Sequence, residues 1–431
     1  MKPVLSAAIV IMTSAAFVCA GSCCRGQDDF EAAPILYSQT APANRITQLQ
    51  QSLQEGQVSL QHEAGTGYLR SLLTALQIPP ESQCLVFSKT SLQLRRISPA
   101  TPRAIYFSDD LYVGFCVAGD VLEISATDSR LGTVFYTLSQ QPPASGPPVF
   151  QRQTDNCLVC HSSSRTEGIP GHLVRSLMVD PSGQPLLAAG SRNVNHTTPL
   201  ADRWGGWYVT GLHGAQKHLG NLVVERDESF DSVDNSAGLN QTDLSGRFHT
   251  NSYLSGHSDI VALMVLEHQV LVHNRIARAA FTTREALHYE KALNEALQNA
   301  PGTRLESTTR RIQSAADKLV EALLFCGEAQ LVAPIRGTSG FTRQFALPGP
   351  RDAQGRSLRD LDLQTRMFRY PCSYLVHSQA FRDLPEEMRD AVRARLQAVL
   401  SGQDQSPKFA HLTPNDRKAI REILQETEPA L

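Results

Sequence analysis

The feature that most constrains this chain is the stretch from Asp155 to His161, in which two cysteines are separated by two residues and followed at once by a histidine. Covalent attachment of a c-type haem requires this pattern, because the two thiols add across the vinyl groups of the porphyrin. The spacing places the histidine beneath the ring, where its imidazole can bind the iron. The stretch therefore predicts Cys157 and Cys160 as haem-attachment residues and His161 as the proximal iron ligand.

Two other chemistries use closely spaced cysteines. A dithiol redox pair usually opens a helix inside an α/β unit, whereas this motif has no clear strand immediately before it and is followed by three serines and an arginine. A zinc site needs two further ligands at matching spacing, and the sequence contains no second C-x-x-C and no H-x-x-x-H. Both remain alternatives, and the predicted cofactor is one covalent haem c.

Length and charge limit the class of protein. With 431 residues the chain is long enough for two or three domains and a sizeable core. Its formal net charge is −2 without a long run of like charges. Neither nucleic acid nor an acidic surface is therefore expected as a partner.

The N-terminal residues predict export. Met1 and Lys2 precede an apolar run from Val4 to Ala20 that is shorter and less uniformly apolar than a spanning helix, and small residues close it. Residues 1–22 are therefore interpreted as an export signal of a bacterium. The stretch Ala-Gly-Ser-Cys that ends at Cys23 resembles a lipobox, so a lipid anchor at Cys23 is the alternative to release into the periplasm. The mature chain is expected to contain no transmembrane span.

Four further cysteines lie in the predicted mature chain. In an oxidising compartment the simplest hypothesis pairs Cys84 with Cys116 and Cys326 with Cys372. The alternative is four buried free thiols, because connectivity does not follow from sequence.

The hydrophobic patterns divide the chain into regions. Residues 23–43 are polar with scattered prolines and are interpreted as a tether, while 44–255 are predicted to form an α+β haem-c domain. Strand patterns cluster in this domain, and a Pro-rich connector over 140–148 leads to the motif; the predicted strands are 83–88, 104–107, 111–117, 121–126 and 132–138. From Asp259 the period becomes helical, over 259–279, 284–298, 303–326, 386–400 and 415–426. The expected fold class is α+β, a mainly antiparallel β region carrying the motif followed by a mostly α-helical C-terminal domain at 256–431.

At Cys157–His161 the chain resembles the c-type cytochromes, although small soluble members have a helix before the motif and a methionine ligand in a loop after it. Over 84–426 it looks like exported bacterial proteins described only as containing a cytochrome c domain. The segments that carry this longer resemblance are Ser88–Ser91, Arg103–Phe107, Arg203–Thr210 and Phe368–Tyr374. The resemblance implies haem binding without an assigned reaction. A single motif also disfavours the bi-haem peroxidases, which need two.

An electron-carrying iron should have a sixth ligand from methionine or histidine, which holds it low-spin and sets its potential. Besides His172, His268 and His273, the predicted candidates are His196, His213, His218 and Met178. His268 shares a helical face with apolar residues and is interpreted chiefly as a core residue. Arg203, Trp204 and Trp207 lie among the candidate histidines and predict a pocket wall, with a tight turn and a core strand as the alternative.

These observations predict an exported mono-haem c-type cytochrome that transfers single electrons in the periplasm to an unknown redox partner protein. Two alternatives stay open. The first is a haem-dependent oxidoreductase with an open distal site, where Arg203, His196 or His213 would act on a small molecule. The second is a haem-bearing binding or sensor protein whose helical half docks a partner.

Overall fold

The computed structural model describes residues 29–225 and 233–428. The predicted export signal and the cysteine of the lipobox lie outside the described residues. The strands are β1 (Cys84–Val86), β2 (Arg103–Phe107), β3 (Leu111–Phe115), β4 (Val121–Asp128), β5 (Gly132–Ser139), β6 (Phe150–Gln153), β7 (Arg175–Leu177) and β8 (Ser191–Asn193). The α-helices are α1 (Arg45–Gln54), α2 (Leu69–Ala75), α3 (Leu158–His161), α4 (Ile260–Ala296), α5 (Glu306–Leu323), α6 (Phe341–Ala346), α7 (Gln379–Arg382), α8 (Glu386–Leu400) and α9 (Pro414–Thr427).

The predicted fold class is confirmed. Strands β1 to β6 form one antiparallel sheet in chain order, and β7 pairs with β8 in a separate hairpin. From α4 onward the chain is mostly helical. The five strands predicted before the motif are all present, and short Asp- or Gly-containing turns join β2 to β3, β3 to β4 and β4 to β5. Strand β6 was not predicted; it follows the Pro-rich connector and forms the edge of the sheet beside the motif.

The interpretation of residues 23–43 as a tether is wrong for the described part of that segment. Phe30, Ile35 and Tyr37 are each at most 1% exposed. The Tyr37 hydroxyl donates to the carbonyl oxygen of Thr133 at 2.9 Å, and the Arg152 guanidinium donates to the Tyr37 carbonyl at 2.6 Å. Burying one such apolar side chain stabilises the fold by about 1.5–3 kcal/mol, so three of them hold this segment on the sheet.

Helix α4 is longer than expected. The sequence predicts two helices, over 259–279 and 284–298, whereas one helix of 37 residues runs from Ile260 to Ala296. Asp259 caps it, because its Oδ1 accepts from the N–H of Val261 at 2.8 Å. The polar pair at 282–283 does not interrupt the helix, since the Thr283 hydroxyl donates back to the Ala279 carbonyl at 2.9 Å.

Helix α4 also joins the two halves of the molecule. Residues from Ile260 to Ala280 pack with the C-terminal helices and with side chains of β1 to β3 in one apolar core. Ala277 and Phe281 belong to a second core, which lies against the sheet and helices α1 and α2. The domain boundary at residue 256 stays a prediction, and the helix that begins beside it contributes to both cores. Among the described residues, no helix is both long enough and apolar enough to cross a membrane.

The predicted disulfides are wrong, since Cys84, Cys116, Cys326 and Cys372 are all free thiols. Cys84 on β1 lies opposite Ile105 on β2, and Ile105 lies opposite Gly114 on β3. Cys84 is therefore two strand spacings from β3, roughly 9–10 Å, whereas a disulfide requires Cα atoms within about 7 Å. The alternative of free thiols is the one that the fold adopts.

Candidate cofactor site at the cysteine–histidine motif

The motif forms a single helical turn just after the edge strand of the sheet. Cys157 is the N-cap of α3, and its carbonyl accepts from the N–H groups of Cys160 at 3.3 Å and His161 at 3.0 Å. Leu158 is buried and anchors the turn, whereas Val159 is 79% exposed. Residues three and four apart share a helical face, so the two thiols and the imidazole project to the same side.

These three side chains line one cavity of about 400 Å³, which we call the motif cavity. Its volume lies in the range of small-molecule and cofactor sites. Strands β2 to β5 form one wall, and segment 89–94, residues 172–174 and α4 contribute the others. Besides the motif, the lining includes Arg103, Tyr112, Glu123, Phe135, Tyr136, His172, Trp207 and Leu266.

The imidazole of His161 has a fixed orientation. Its Nδ1 lies 2.9 Å from the carbonyl oxygen of Gly171. Because a carbonyl only accepts, Nδ1 carries the proton and Nε2 keeps its lone pair free. The partial burial of the ring lowers the pKa of His161, which favours the neutral imidazole. A neutral imidazole with a bonded Nδ1 and a free Nε2 is the form that metal-binding histidines adopt.

Helix α4 in turn holds the peptide that orients His161. The Asn274 Oδ1 accepts from the N–H of His172 at 3.0 Å, and its Nδ2 donates to the His172 carbonyl at 2.9 Å. The N–H of Gly171 donates to the His161 carbonyl at 2.8 Å. A Cβ on Gly171 would lie 2.5 Å from the Asn274 Oδ1, so only glycine leaves room for this arrangement. Asn274 is thus a positioning residue for the motif histidine, and no pattern in the sequence predicts this role.

His172 is the second histidine that lines the motif cavity. Its Nε2 lies 2.9 Å from the Ser125 Oγ, and its Nδ1 lies 3.2 Å from the Thr133 Oγ1. Its ring packs 4.1 Å from that of Tyr112, measured between centroids. Burial lowers the pKa of His172 well below its ordinary value, so it is neutral. Both of its nitrogens are occupied by hydroxyl groups of the sheet.

One charged pair faces the motif cavity. An Arg103 terminal nitrogen lies 2.8 Å from the Glu123 Oε2, while the Arg103 Nε is buried without a hydrogen-bond partner in the described chain. Gly114 lies between them on β3, and a Cβ there would lie 2.4 Å from the Arg103 guanidinium. The unpartnered N–H therefore offers a donor to an anionic group that enters the cavity. The sequence signal that was missed is a pair of opposite charges on otherwise apolar strands.

The predicted distal ligands lie elsewhere. His196, His213, His218 and Met178 are all buried, and none belongs to the lining of the motif cavity as described. The His196 Nδ1 lies 3.0 Å from the His268 Nδ1, and the His268 Nε2 lies 2.8 Å from the Ser373 Oγ. His268 also stacks on Phe325, with ring centroids 4.1 Å apart. The distal ligand role of His196, His213, His218 or Met178 stays a prediction. Their positions away from the motif cavity do not favour it.

His213 and His218 form a second buried pair, with ring centroids 4.7 Å apart. The His213 Nε2 accepts from the N–H of Asn240 at 3.0 Å, and the His218 Nδ1 accepts from the N–H of Gly220 at 3.0 Å. Burial lowers the pKa of His218 to about 3, so its ring is neutral at physiological pH.

Of the predicted pocket residues, only Trp207 lines the motif cavity. Its Nε1 donates to the Arg175 carbonyl at 2.8 Å. Arg203 and Trp204 instead contact Glu267 inside the protein, where the Trp204 Nε1 donates to Glu267 Oε1 at 3.0 Å and the guanidinium lies 3.3 Å away. Burial raises the pKa of Glu267 to about 7, although Arg203 and Trp204 oppose the shift.

The zinc alternative gains no geometric support. A structural zinc ion takes four protein ligands and a catalytic one takes three. Within residues 29–225 and 233–428, no three histidine, cysteine, aspartate or glutamate side chains converge so that they could hold a metal ion. A single imidazole beside two thiols is the arrangement at the motif.

Comparison with known proteins identifies no relative. No family model, no curated protein and no solved structure matches this chain. Function must therefore be argued from the motif cavity itself.

Proposed function

We propose that this protein is an exported c-type cytochrome that binds one haem through Cys157, Cys160 and His161 and transfers single electrons. The observation that carries the proposal is that two thiols and an imidazole with a free Nε2 line the same cavity. When bound, haem c would supply an iron that exchanges one electron without a change in the protein's covalent structure. The predicted export signal agrees with this proposal, because c-type haem is attached outside the bacterial cytoplasm.

The residues of the cavity fit a porphyrin. Phe135, Tyr136 and Trp207 give it broad apolar surfaces, which exclude water. The Arg103 Nε is a buried donor without a partner in the described chain, and a porphyrin propionate is an anion that could accept from it. The Val159 side chain of the motif is 79% exposed, so the attachment turn lies at the surface, where a redox partner can approach.

The surrounding residues have defined tasks in this function. His161 would donate its Nε2 lone pair to the haem iron, and the Gly171 carbonyl keeps the proton on Nδ1, which would make the ring a stronger donor. Asn274 holds that carbonyl in place from α4. The apolar walls lower the local dielectric, which limits reorganisation of water when charge changes.

Covalent attachment is the decisive test. The full chain, expressed in a bacterium that carries the haem-c attachment machinery, should keep its haem through acid–acetone extraction. The double variant Cys157→Ala/Cys160→Ala should lose it, while Cys326→Ala should keep it, because Cys326 is a free, half-buried thiol outside the motif cavity. A folded wild-type protein without covalent haem from such a host would contradict the proposal.

A second candidate function is a haem-dependent oxidoreductase, which one observation favours. The described lining of the motif cavity contains no methionine, and both nitrogens of its other histidine, His172, are bonded to hydroxyls. A small molecule could then occupy the cavity beside the Arg103–Glu123 pair. In this function Arg103 would orient an anionic substrate, and Glu123 would accept or donate a proton.

The two functions predict different spectra for the haem-loaded protein. An electron carrier with two strong axial ligands gives a low-spin spectrum that ignores cyanide and carbon monoxide. An open site gives a high-spin spectrum that both reagents change. A low-spin, unresponsive protein would exclude the oxidoreductase, and a responsive one would exclude the simple carrier.

A further inference from the structure

A groove of about 480 Å³ lies between helices α4 and α5, outside the motif cavity. Four arginines and one lysine line it, namely Arg275, Arg278, Arg310, Arg311 and Lys318, and we call it the basic groove. In its described lining Glu167 is the single carboxylate. No described residue lines both the groove and the motif cavity, so the basic groove is separate from the site of haem attachment.

The helical period aligns these cations in two stripes. Arg275 and Arg278 lie three residues apart on α4, which places them on one face. On α5, residues 307, 310, 311, 314 and 318 repeat at spacings of three and four and form the opposite stripe. The cations of the α5 stripe, from Arg310 to Lys318, extend for about 12 Å at the helical rise of 1.5 Å per residue. The groove therefore presents a row of positive charge longer than a single small anion.

Most of these charges are only loosely neutralised. Arg275 forms one tight ion pair, at 2.6 Å from the Glu167 Oε2. Arg278 and Arg311 both lie 3.8 Å from Glu285. Lys318 forms no ion pair among the described residues. Even with Glu285 and the exposed Glu306 counted, two positive charges remain in excess, in a chain whose formal net charge is −2.

Hydroxyl groups lie among the cations. Thr282, Ser307 and Ser314 also line the basic groove. Ser307 lies in the first turn of α5, and the N-cap residue of this helix, Leu305, has an apolar side chain that cannot cap the N–H groups of that turn. Guanidinium forks, hydroxyls and backbone N–H groups are together the donors that bind tetrahedral oxyanions.

We propose that the basic groove binds a linear oligoanion that carries phosphate or sulfate groups. The guanidinium groups of α4 and α5 contact the oxyanions from two sides, and the hydroxyls donate further hydrogen bonds. The groove length calls for several linked anions, since one phosphate or sulfate would meet only part of the row. Inorganic polyphosphate and sulfated oligosaccharides share this chemistry and are the two sources to distinguish.

The test measures binding of three fluorescent probes to the full-length protein by anisotropy, at two salt concentrations. The probes are a short inorganic polyphosphate, a sulfated heparin oligosaccharide and a polyglutamate of similar charge. The expected result is binding of one or both oxyanion chains that weakens with salt, and at least tenfold weaker binding of polyglutamate. Whichever oxyanion probe binds more tightly identifies the source.

The variant Arg310→Gln/Lys318→Gln should weaken oxyanion binding about tenfold or more and lower the slope of log affinity against log salt by about two, as for cations that contact a phosphate chain. Its matched control is Lys418→Gln/Arg421→Gln, which removes the same charge from the exposed face of α9 and should keep affinity within about twofold. Both pairs are exposed, so folding is expected to be preserved. Equal losses in the two variants, or polyglutamate binding as tight as the oxyanion chains, would overturn the proposal; the second outcome would indicate an acidic peptide.

Discussion

Two regions of this molecule combine histidines with aromatic rings, and they use them in opposite ways. In the motif cavity, His161 has one bonded nitrogen and one that faces open volume. We call the region around His196, His213, His218 and His268 the histidine core. Its imidazole rings are at most 2% exposed and pack against one another, and none of them lines the motif cavity as described. The chemistry of the side chains is the same; the presence of space beside a free nitrogen distinguishes a ligand site from a packed interior.

The two arginines of these regions repeat the contrast. Arg203 in the histidine core donates to the carbonyls of Thr198 and His196 and lies beside Glu267, so its donors are consumed internally. Arg103 in the motif cavity forms one ion pair and keeps a buried Nε without a partner in the described chain. Internal partners therefore occupy the Arg203 guanidinium, whereas the Arg103 guanidinium keeps one donor for a group that enters the cavity.

The largest difference between the regions is expected from loss of the imidazole. His161→Ala should abolish the axial ligand and with it the native absorption spectrum of the haem-loaded protein. His196→Ala should leave that spectrum unchanged and lower the free energy of unfolding by about 1–3 kcal/mol, because the His268 nitrogen loses its partner. Absorption spectra and urea unfolding of the two variants check this. A changed spectrum in His196→Ala would restore the histidine core as a ligand source.

A smaller effect is expected from filling the space at Gly171. Gly171→Ala puts a Cβ 2.5 Å from the Asn274 Oδ1, which its bonds to His172 hold in place. The overpacking should cost about 1–3 kcal/mol of unfolding free energy in a urea titration. Gly246→Ala is the control, since no atom of the described residues lies within 4 Å of its added Cβ. Equal stability of both variants would show that the loop tolerates the change and that Gly171 is not required.

The histidine core should instead respond to acid. Burial lowers the pKa of His196 and of His218 to about 3, so both rings take up a proton on unfolding between about pH 3 and 6.5. The unfolded state binds more protons in this window, and stability therefore rises with pH up to about 6.5 and falls below it. Glu267, whose pKa is raised to about 7, acts in the opposite direction between about pH 4.5 and 7. Burial lowers the pKa of His213 and His268 as well, so the four histidines of the core outweigh the Glu267 carboxyl and acidification causes a net loss of stability.

Removal of one of these histidines measures its contribution to the pH dependence of stability. His218→Asn should flatten the dependence of unfolding free energy on pH by up to about 1.4 kcal/mol per pH unit between pH 4 and 6, which corresponds to one proton. His288→Asn changes an exposed histidine and should leave the profile unaltered. Unfolding in urea at several pH values measures both. An unchanged slope in His218→Asn would mean that this ring is already protonated in the folded protein.

The two regions also differ in how much of them could be predicted from the sequence. The sequence could predict the strands, because they depend on local alternation and turn residues. It could also predict the thiols and the imidazole, because their role depends on spacing along the chain. The continuity of α4 through Thr283 was not, because a hydroxyl bonded to Ala279 compensates for a weak helix former only in the folded chain. Free volume is likewise a tertiary property. Nothing local distinguishes His196, whose neighbours fill the space around it, from His161, which faces a cavity formed by strands and α4.

The smallest expected effect comes from Asn274, which contacts neither thiol nor the free nitrogen of His161. Asn274→Ala removes both bonds to the His172 peptide and should cost about 1–2 kcal/mol of unfolding free energy. It should also raise the midpoint potential of the haem-loaded protein, because a less firmly held Gly171 carbonyl makes His161 a weaker donor to the oxidised iron. Asn274→Asp keeps the acceptor for the His172 N–H and should recover part of both changes. Redox titration and urea unfolding together separate a positioning role from a structural one. A loss of stability with an unchanged midpoint potential would make Asn274 a structural residue of α4. The Gly171 carbonyl would then orient the imidazole without help from Asn274.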